Sequence, residues 1–239
     1  KKPDFVIVEF SVNDSGTEHY METYEGLIRL IYGDDNAPAV LVVHNVCYDT
    51  GANAQLVHAK VVRHYDLPSV SMQSSIYPAL LSGKIQNREI TPDDLHPNDK
   101  GHELVASVIT YYLEKMLKSV EAGETVGLTK EETMPNPLTK NAYETSVRYQ
   151  NNNCIPIQCE GFEADNTKQN NICEIFRNGW TAKGKGAKIS FKVKGSCLAL
   201  QYRRTISLPA PIAKVVVDKE EENAILLDAN FDETWGDKM

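Results

Sequence analysis

No apolar run in this 239-residue chain reaches the roughly 20 residues that a membrane-spanning helix needs. Positive charge is also in short supply, with 25 Lys and Arg against 33 Asp and Glu and a formal net charge of -8. Binding to phosphate backbones or anionic lipid requires clustered Lys and Arg, so neither nucleic acid nor a membrane is expected as the main partner. Neutral polysaccharide and small esters stay open. The five cysteines, Cys47, Cys154, Cys159, Cys173 and Cys197, contain no Cys-x-x-Cys pair, and an odd count gives no clean disulfide framework. A disulfide among Cys154, Cys159 and Cys173 in an exported protein and scattered reduced thiols in a cytoplasmic one both fit. The six histidines are dispersed rather than set at zinc-ligand spacing: His96 and His102 flank a helix start without a third ligand nearby, so no metal is expected. Lys1-Lys2-Pro3-Asp4 runs straight into an apolar stretch, unlike a signal peptide, and the localisation is left between cytoplasmic and secreted.

The composition is that of a soluble globular protein, 41% hydrophobic and long enough for one large or two modest domains. Phe5–Phe10 and Ala39–His44 are continuous apolar runs, the pattern of strands covered on both faces, and Leu67–Met72 makes a third. Between them, Tyr20, Tyr24, Leu27, Ile28 and Ile31 recur at helical spacing up to Gly33, and a second helix carries Leu56, Val57, Val61 and Tyr65, with His58 and His64 read as surface residues. A helix from about Asp99 to Lys118 closes the unit. Strands alternating with helices predict parallel βαβ units with right-handed crossovers.

Two polar stretches stand out against this frame. Thr91-Pro92-Asp93-Asp94-Leu95-His96-Pro97-Asn98 places an acid three residues before a histidine, between prolines that stiffen the backbone on both sides. Such a pair is the acid-base half of a hydrolase: the imidazole takes a serine proton while the carboxylate fixes the tautomer and stabilises the imidazolium. A plainer account makes Asn98-Asp99 a helix cap and His96 a solvated loop residue. The second stretch, Ser11-Val12-Asn13-Asp14-Ser15-Gly16, follows the first strand, where parallel sheets place their sites. Asn13 there can offer its side-chain N–H to an oxyanion, or simply make an Asn-Asp turn.

Taken together, Asn13-Asp14 after a strand and Asp93-x-x-His96-Pro97 before the last helix resemble the SGNH (GDSL) hydrolase superfamily. The wording Val8-Glu9-Phe10-Ser11-Val12-Asn13-Asp14, with Leu67-Pro68-Ser69-Val70-Ser71, is most similar to its carbohydrate acetyl-esterase branch, such as the acetyl-xylan esterases of carbohydrate esterase family two. The resemblance covers roughly residues 3–115. It implies a flavodoxin-like parallel sheet, Asn13 as oxyanion donor, Asp93 as the acid and His96 as the base, with no cofactor. Ser11 stands where the family usually has glycine. The family's serine block, Gly-Asp-Ser or Gly-Gly-Ser-Ile-Thr, occurs nowhere in the chain. It would lie upstream, on a strand beside Phe5–Phe10, whose bare apolar edge also argues for an absent neighbour. The expectation is a C-terminal portion of a longer serine esterase.

The sequence divides as an α/β domain over 1–120, a charged and proline-bearing linker over 121–142, and a β domain over 143–239. In the last, Ala187–Gly195, Cys197–Tyr202 and Ala213–Asp218 alternate in the manner of short antiparallel strands, predicting a small sandwich. It is loosely similar to the jelly-roll module that accompanies carbohydrate acetyl esterases. Trp180, Trp235 and Tyr202 could stack on sugar rings or serve packing; Lys183, Lys185, Lys188, Lys192 and Lys194 read as a solvated face. The implied function is removal of acetyl or another short acyl group from carbohydrate. A lipase or thioesterase is the alternative among enzymes, because a triad does not encode the acyl or alcohol group. A non-catalytic carbohydrate-binding protein is the alternative outside them. Oligomeric state is not encoded in any of these features.

Overall fold

Val40, Leu41, Val42 and Val43 are all buried because β2 (Ala39–His44) is the middle strand of a three-stranded parallel sheet of order β1-β2-β3, with β1 spanning Phe5–Val8 and β3 spanning Ser69–Ser71. These strands belong to a computed structural model that describes residues 2–36, 38–124 and 134–232. Alternate residues of the strands feed two cores, as the two-residue period of a strand requires. Val8, Val40 and Val42 pack with Tyr24 and Ile28 of α1 (Glu18–Tyr32) and with Val61, Val62 and Tyr65 of α2 (Gln55–His64). Leu41, Val43 and Val70 pack on the other face with Met72, Ile76 and Ile90, and with Leu104, Val105, Val108 and Ile109 of α6 (Asp99–Glu121). Between β3 and α6 run three short helices, α3 (Met72–Ser75), α4 (Tyr77–Leu81) and α5 (Asn87–Ile90). Strands that step in one direction with right-handed crossovers bring their connecting helices to one face, hence α1 beside α2. The outer edge of β1 is unpaired among the described residues, and on its α6 side Phe5 and Ile7 remain 43% and 50% exposed.

The chain divides into two units, Lys1–Ser146 and Val147–Met239. The described part of the expected linker, 134–142, belongs to the first unit, because charged side chains of α1 hold it down. Glu25, 0% exposed, accepts from Tyr65 Oη (2.5 Å), Leu138 N (2.5 Å) and Thr139 N (2.8 Å), and from the Thr139 hydroxyl. Arg29 donates to Glu144 Oε2 (2.9 Å), Tyr65 Oη (2.9 Å) and Pro135 O (2.8 Å). Gly26 makes room for the segment: a Cβ there would stand 3.0 Å from Tyr143 Cβ and 3.2 Å from its carbonyl carbon. Burial alone would raise the Glu25 carboxyl, but the hydrogen bonds from Thr139, Tyr65 and the Leu138 amide outweigh it and hold the pKa below its ordinary value. A depressed carboxylate contributes stability that is present above its unfolded pKa of about 4.3 and is lost as the pH falls through the folded value. Glu25→Ala, which strands several donors, is expected to cost about 3 kcal/mol in urea unfolding at neutral pH and to speed trypsin cleavage after Lys140. Cleavage at the wild-type rate would show that Glu25 does not hold this segment.

The second unit is thin. Its only buried hydrophobic residues, among those described, are Cys173 and Ala229. Among its described residues, three two-stranded antiparallel ladders form: β4 (Gln158–Glu160) with β7 (Lys188–Ser190), β5 (Phe162–Asp165) with β6 (Gly179–Ala182), and β8 (Ile212–Val215) with β9 (Ile225–Asp228). The expected strand Cys197–Tyr202 lies outside any ladder, with Leu198 and Leu200 both 60% exposed. Alternation defines a face, but a strand forms only where a neighbouring backbone takes up its N–H and C=O groups. β9 supplies that partner for β8, whereas 197–202 has none among the described ladders.

Candidate active site

Parallel strands deliver their following loops to one end of the sheet, and here the loops after β1 and β2 are tied to each other and to the loop between α5 and α6. The loop after β1 meets the loop after β2 through Ala54 N, which donates to Ser11 O at 2.7 Å. The loop after β2 in turn meets the Asp93–His96 loop through Tyr48 N, which donates to Asp94 O at 2.8 Å. Within the middle loop, Asn53 Nδ2 donates to Asn45 O at 3.0 Å. Asn13, Asp93 and His96, far apart in sequence, therefore stand on connected loops at the C-terminal end of the sheet.

The acid and base are joined directly. His96 Nδ1 lies 2.7 Å from Asp93 Oδ2, while Asp93 Oδ1 accepts from His96 N at 2.8 Å and Leu95 N at 3.1 Å. One carboxylate oxygen thus closes the turn and the other holds the ring. The backbone N–H of His96, its side chain and the Leu95 N–H together keep the Asp93 carboxyl far below the usual carboxylate range. An ionised partner at Oδ2 puts the ring proton on Nδ1 and leaves Nε2 as the available base. Both side chains are open, His96 74% and Asp93 51% exposed, so the pair gains little as an ion pair and its value lies in orientation.

The loop's shape comes from its neighbours. Asp94 has φ +73°, a conformation that Asp and Asn tolerate better than most residues. It is held there by Arg88, whose Nη1 and Nη2 lie 2.9 Å from Asp94 Oδ1 and Oδ2, and by Asn87 Nδ2. After Pro97, Asn98 caps α6 by accepting from Gly101 N at 3.1 Å. A Cβ on Gly101 would fall 2.2 Å from Ile90 O, so only glycine lets α6 seat this closely against α5. The capping and the acid-base accounts of 91–102 thus both hold, on different residues of one loop.

Asn13 is exposed. Its backbone N–H and that of Asp14 both turn in to Phe10 O, at 3.1 and 3.0 Å. Its side-chain amide has no hydrogen-bond partner among the described residues and is free to meet a ligand. Ser11 is 0% exposed, with Oγ donating to Glu9 Oε1 at 2.5 Å and its N–H to the same oxygen at 2.9 Å. Its hydroxyl is therefore a structural donor.

His58 corrects the reading of the sequence. Expected on the surface, it is 1% exposed, stacked on the Tyr24 ring at 3.9 Å, with Nε2 3.0 Å from Asp14 Oδ2. Burial lowers its pKa, against the opposing pull of Asp14 and Glu9. His44, at the end of β2, is likewise buried and lowered to about 4, by burial and by His58. The signal for His58 was present: Ala54, Val57, His58, Val61, Val62 and Tyr65 form one helical stripe, all buried. His64 is half-buried and its Nε2 lies 2.7 Å from Asn136 O.

Of the aromatic residues in the second unit, Trp180 is half-buried with its ring edge-on to Phe191 at 4.8 Å, and Tyr202 Oη donates to Asp228 O at 3.2 Å. Trp235 lies outside the described residues. No group of three or more His, Cys, Asp or Glu side chains is placed to hold a metal ion among the described residues.

No protein-family model matches the chain, and no curated protein does. Solved structures do. A two-domain esterase active on acetylated mannans, co-crystallized with mannopentaose, is 56% identical with a TM-score of 0.86, over 98% of this chain and 61% of that one. A second structure of a two-domain esterase active on acetylated mannans gives the same identity and TM-score over 99% of this chain and 62% of that one. The chain thus spans about three fifths of the length of the esterases it matches, and over that span it is similar to them in both sequence and fold.

Proposed function

We propose that this chain is the acid-base portion of a serine esterase of the SGNH type that removes acetyl groups from a mannan-like polysaccharide. The observation that carries the reading is the 2.7 Å contact between His96 Nδ1 and Asp93 Oδ2, with the carboxylate pinned by two backbone N–H groups and Nε2 left open. The likeness to esterases active on acetylated mannans supports mannan as the first substrate to test, ahead of xylan.

In this reading the nucleophilic serine comes from sequence upstream of Lys1, on a strand that adds to the free edge of β1 and extends β1-β2-β3 into a flavodoxin-like sheet. His96 Nε2 takes the serine proton as Oγ attacks the acetyl carbonyl, and Asn13 Nδ2–H donates to the oxyanion. His96 then returns the proton to the departing sugar oxygen. Water, deprotonated by the same Nε2, releases acetate and restores the serine. Asp93 stays ionised throughout and orients the ring.

The test measures acetate release by the full-length protein from acetylated mannan and acetylated xylan, and fatty-acid release from a long-chain triacylglycerol. Release from mannan at least about tenfold faster than from the others, a difference of about 1.4 kcal/mol in transition-state binding, is the expected result. Faster hydrolysis of the triacylglycerol would replace the carbohydrate esterase with a lipase.

A further inference from the structure

His58 is a buried polar side chain on an otherwise apolar stripe of α2, and the proton transfers above do not use it. Burying an imidazole is unfavourable unless its polar atoms are met, and a valine or leucine would fill the same stripe without that cost. What the imidazole adds is one directed bond, Nε2 to Asp14 Oδ2 at 3.0 Å. With Asp14 as acceptor, the ring proton sits on Nε2. The ring cannot swing away, because it lies flat against Tyr24, with centroids 3.9 Å apart and planes 10° apart.

Asp14 is the residue after Asn13. The turn that carries both is anchored at its start, where Ser11 meets Glu9 and Ala54. At its far end the two amides of Asn13 and Asp14 share a single acceptor, Phe10 O. The Asp14 side chain is the remaining handle on that end, and His58 holds it.

We propose that His58 is a positioning residue of the oxyanion site: through Asp14 it fixes the turn that aims the Asn13 side-chain amide, and so links helix α2 to catalysis without touching substrate. This rests on the role given to Asn13 under the proposed function. Burial of the ring itself favours its neutral form, against the pull of the Asp14 and Glu9 carboxylates, and His44, 6.3 Å away, and Tyr24 are buried beside it.

Losing an oxyanion donor costs about a hundredfold to a thousandfold in kcat, and a donor displaced by about 1 Å costs somewhat less. In the full-length enzyme, His58→Leu is therefore expected to lower kcat about thirtyfold with KM changed less than about twofold. His58→Gln, whose amide N–H can replace Nε2–H, should return to within about threefold of wild type. On an Asn13→Ala background, His58→Leu should add less than about twofold, because the two changes remove one function. Hydrogen exchange of the Asn13 and Asp14 amides should be about tenfold faster in His58→Leu and near normal in His58→Gln.

An unchanged kcat in His58→Leu, equal damage from Leu and Gln, or full additivity with Asn13→Ala would each overturn the proposal. If Asn13→Ala itself leaves kcat intact, the oxyanion assignment fails first and the positioning role fails with it. The exchange rates then still report whether the His58–Asp14 clamp exists as a purely structural device.

Discussion

If the proposed function holds, His96→Ala in the full-length protein is expected to remove all but about a thousandth of its ester hydrolysis, measured as acetate release, with the fold unchanged by circular dichroism. The side chain is 74% exposed, so its removal opens no cavity and the loss cannot be ascribed to unfolding. Asp93→Asn keeps the shape and the two backbone contacts at Oδ1, but an amide nitrogen facing Nδ1 favours the wrong tautomer. Triads elsewhere lose up to about ten-thousandfold in this way. Asp94→Asn is the internal control. Asn tolerates the φ of +73° and can still accept from Arg88 or Asn87, so turnover should fall by less than about tenfold, as expected for lost positioning rather than lost chemistry. Retention of more than about a hundredth of the activity in His96→Ala, or greater damage at Asp94 than at Asp93, would take the acid-base assignment away from this pair.

Residues 1–239 produced alone are expected to be poorly soluble, to hydrolyse p-nitrophenyl acetate no faster than background, and to escape labelling by a fluorophosphonate probe. The same chain with its natural upstream sequence should recover all three properties. Two observations motivate this. Ser11, two residues before Asn13, is fully buried with its hydroxyl committed to Glu9, and Phe5 and Ile7 leave one face of β1 uncovered beside an unpaired edge. Exposed apolar edges template aggregation. Robust labelling of residues 1–239 would identify a serine within them as the nucleophile, and exposed Ser15, beside Asn13-Asp14, would be the first to replace; the upstream strand would then have no catalytic part to play.

The sequence by itself determined the elements whose pattern is local and repeated. The apolar run at Ala39–His44 is β2 to the residue; the stripe through Tyr24 and Ile28 is α1, stopping at Gly33; and Asn98 caps the last helix. The Asp93–His96 contact was also legible, because three residues in a tight, proline-bracketed loop leave the side chains few places to go. What only the tertiary structure decided are features that need a partner distant in sequence. Glu25 looks like any charged helix residue until Tyr65 and Thr139, far along the chain, converge on it. The apolar stripe of α2 could have shown that His58 faces inward, but its partners could not be read: only the fold lays Tyr24 over it and brings Asp14 of the β1 turn within 3.0 Å. Leu198 and Leu200 alternate correctly for a strand but find no neighbouring backbone to pair with among the described ladders. Periodicity tells a residue which way to face; burial of a charge and pairing of a strand depend on what the rest of the chain places opposite.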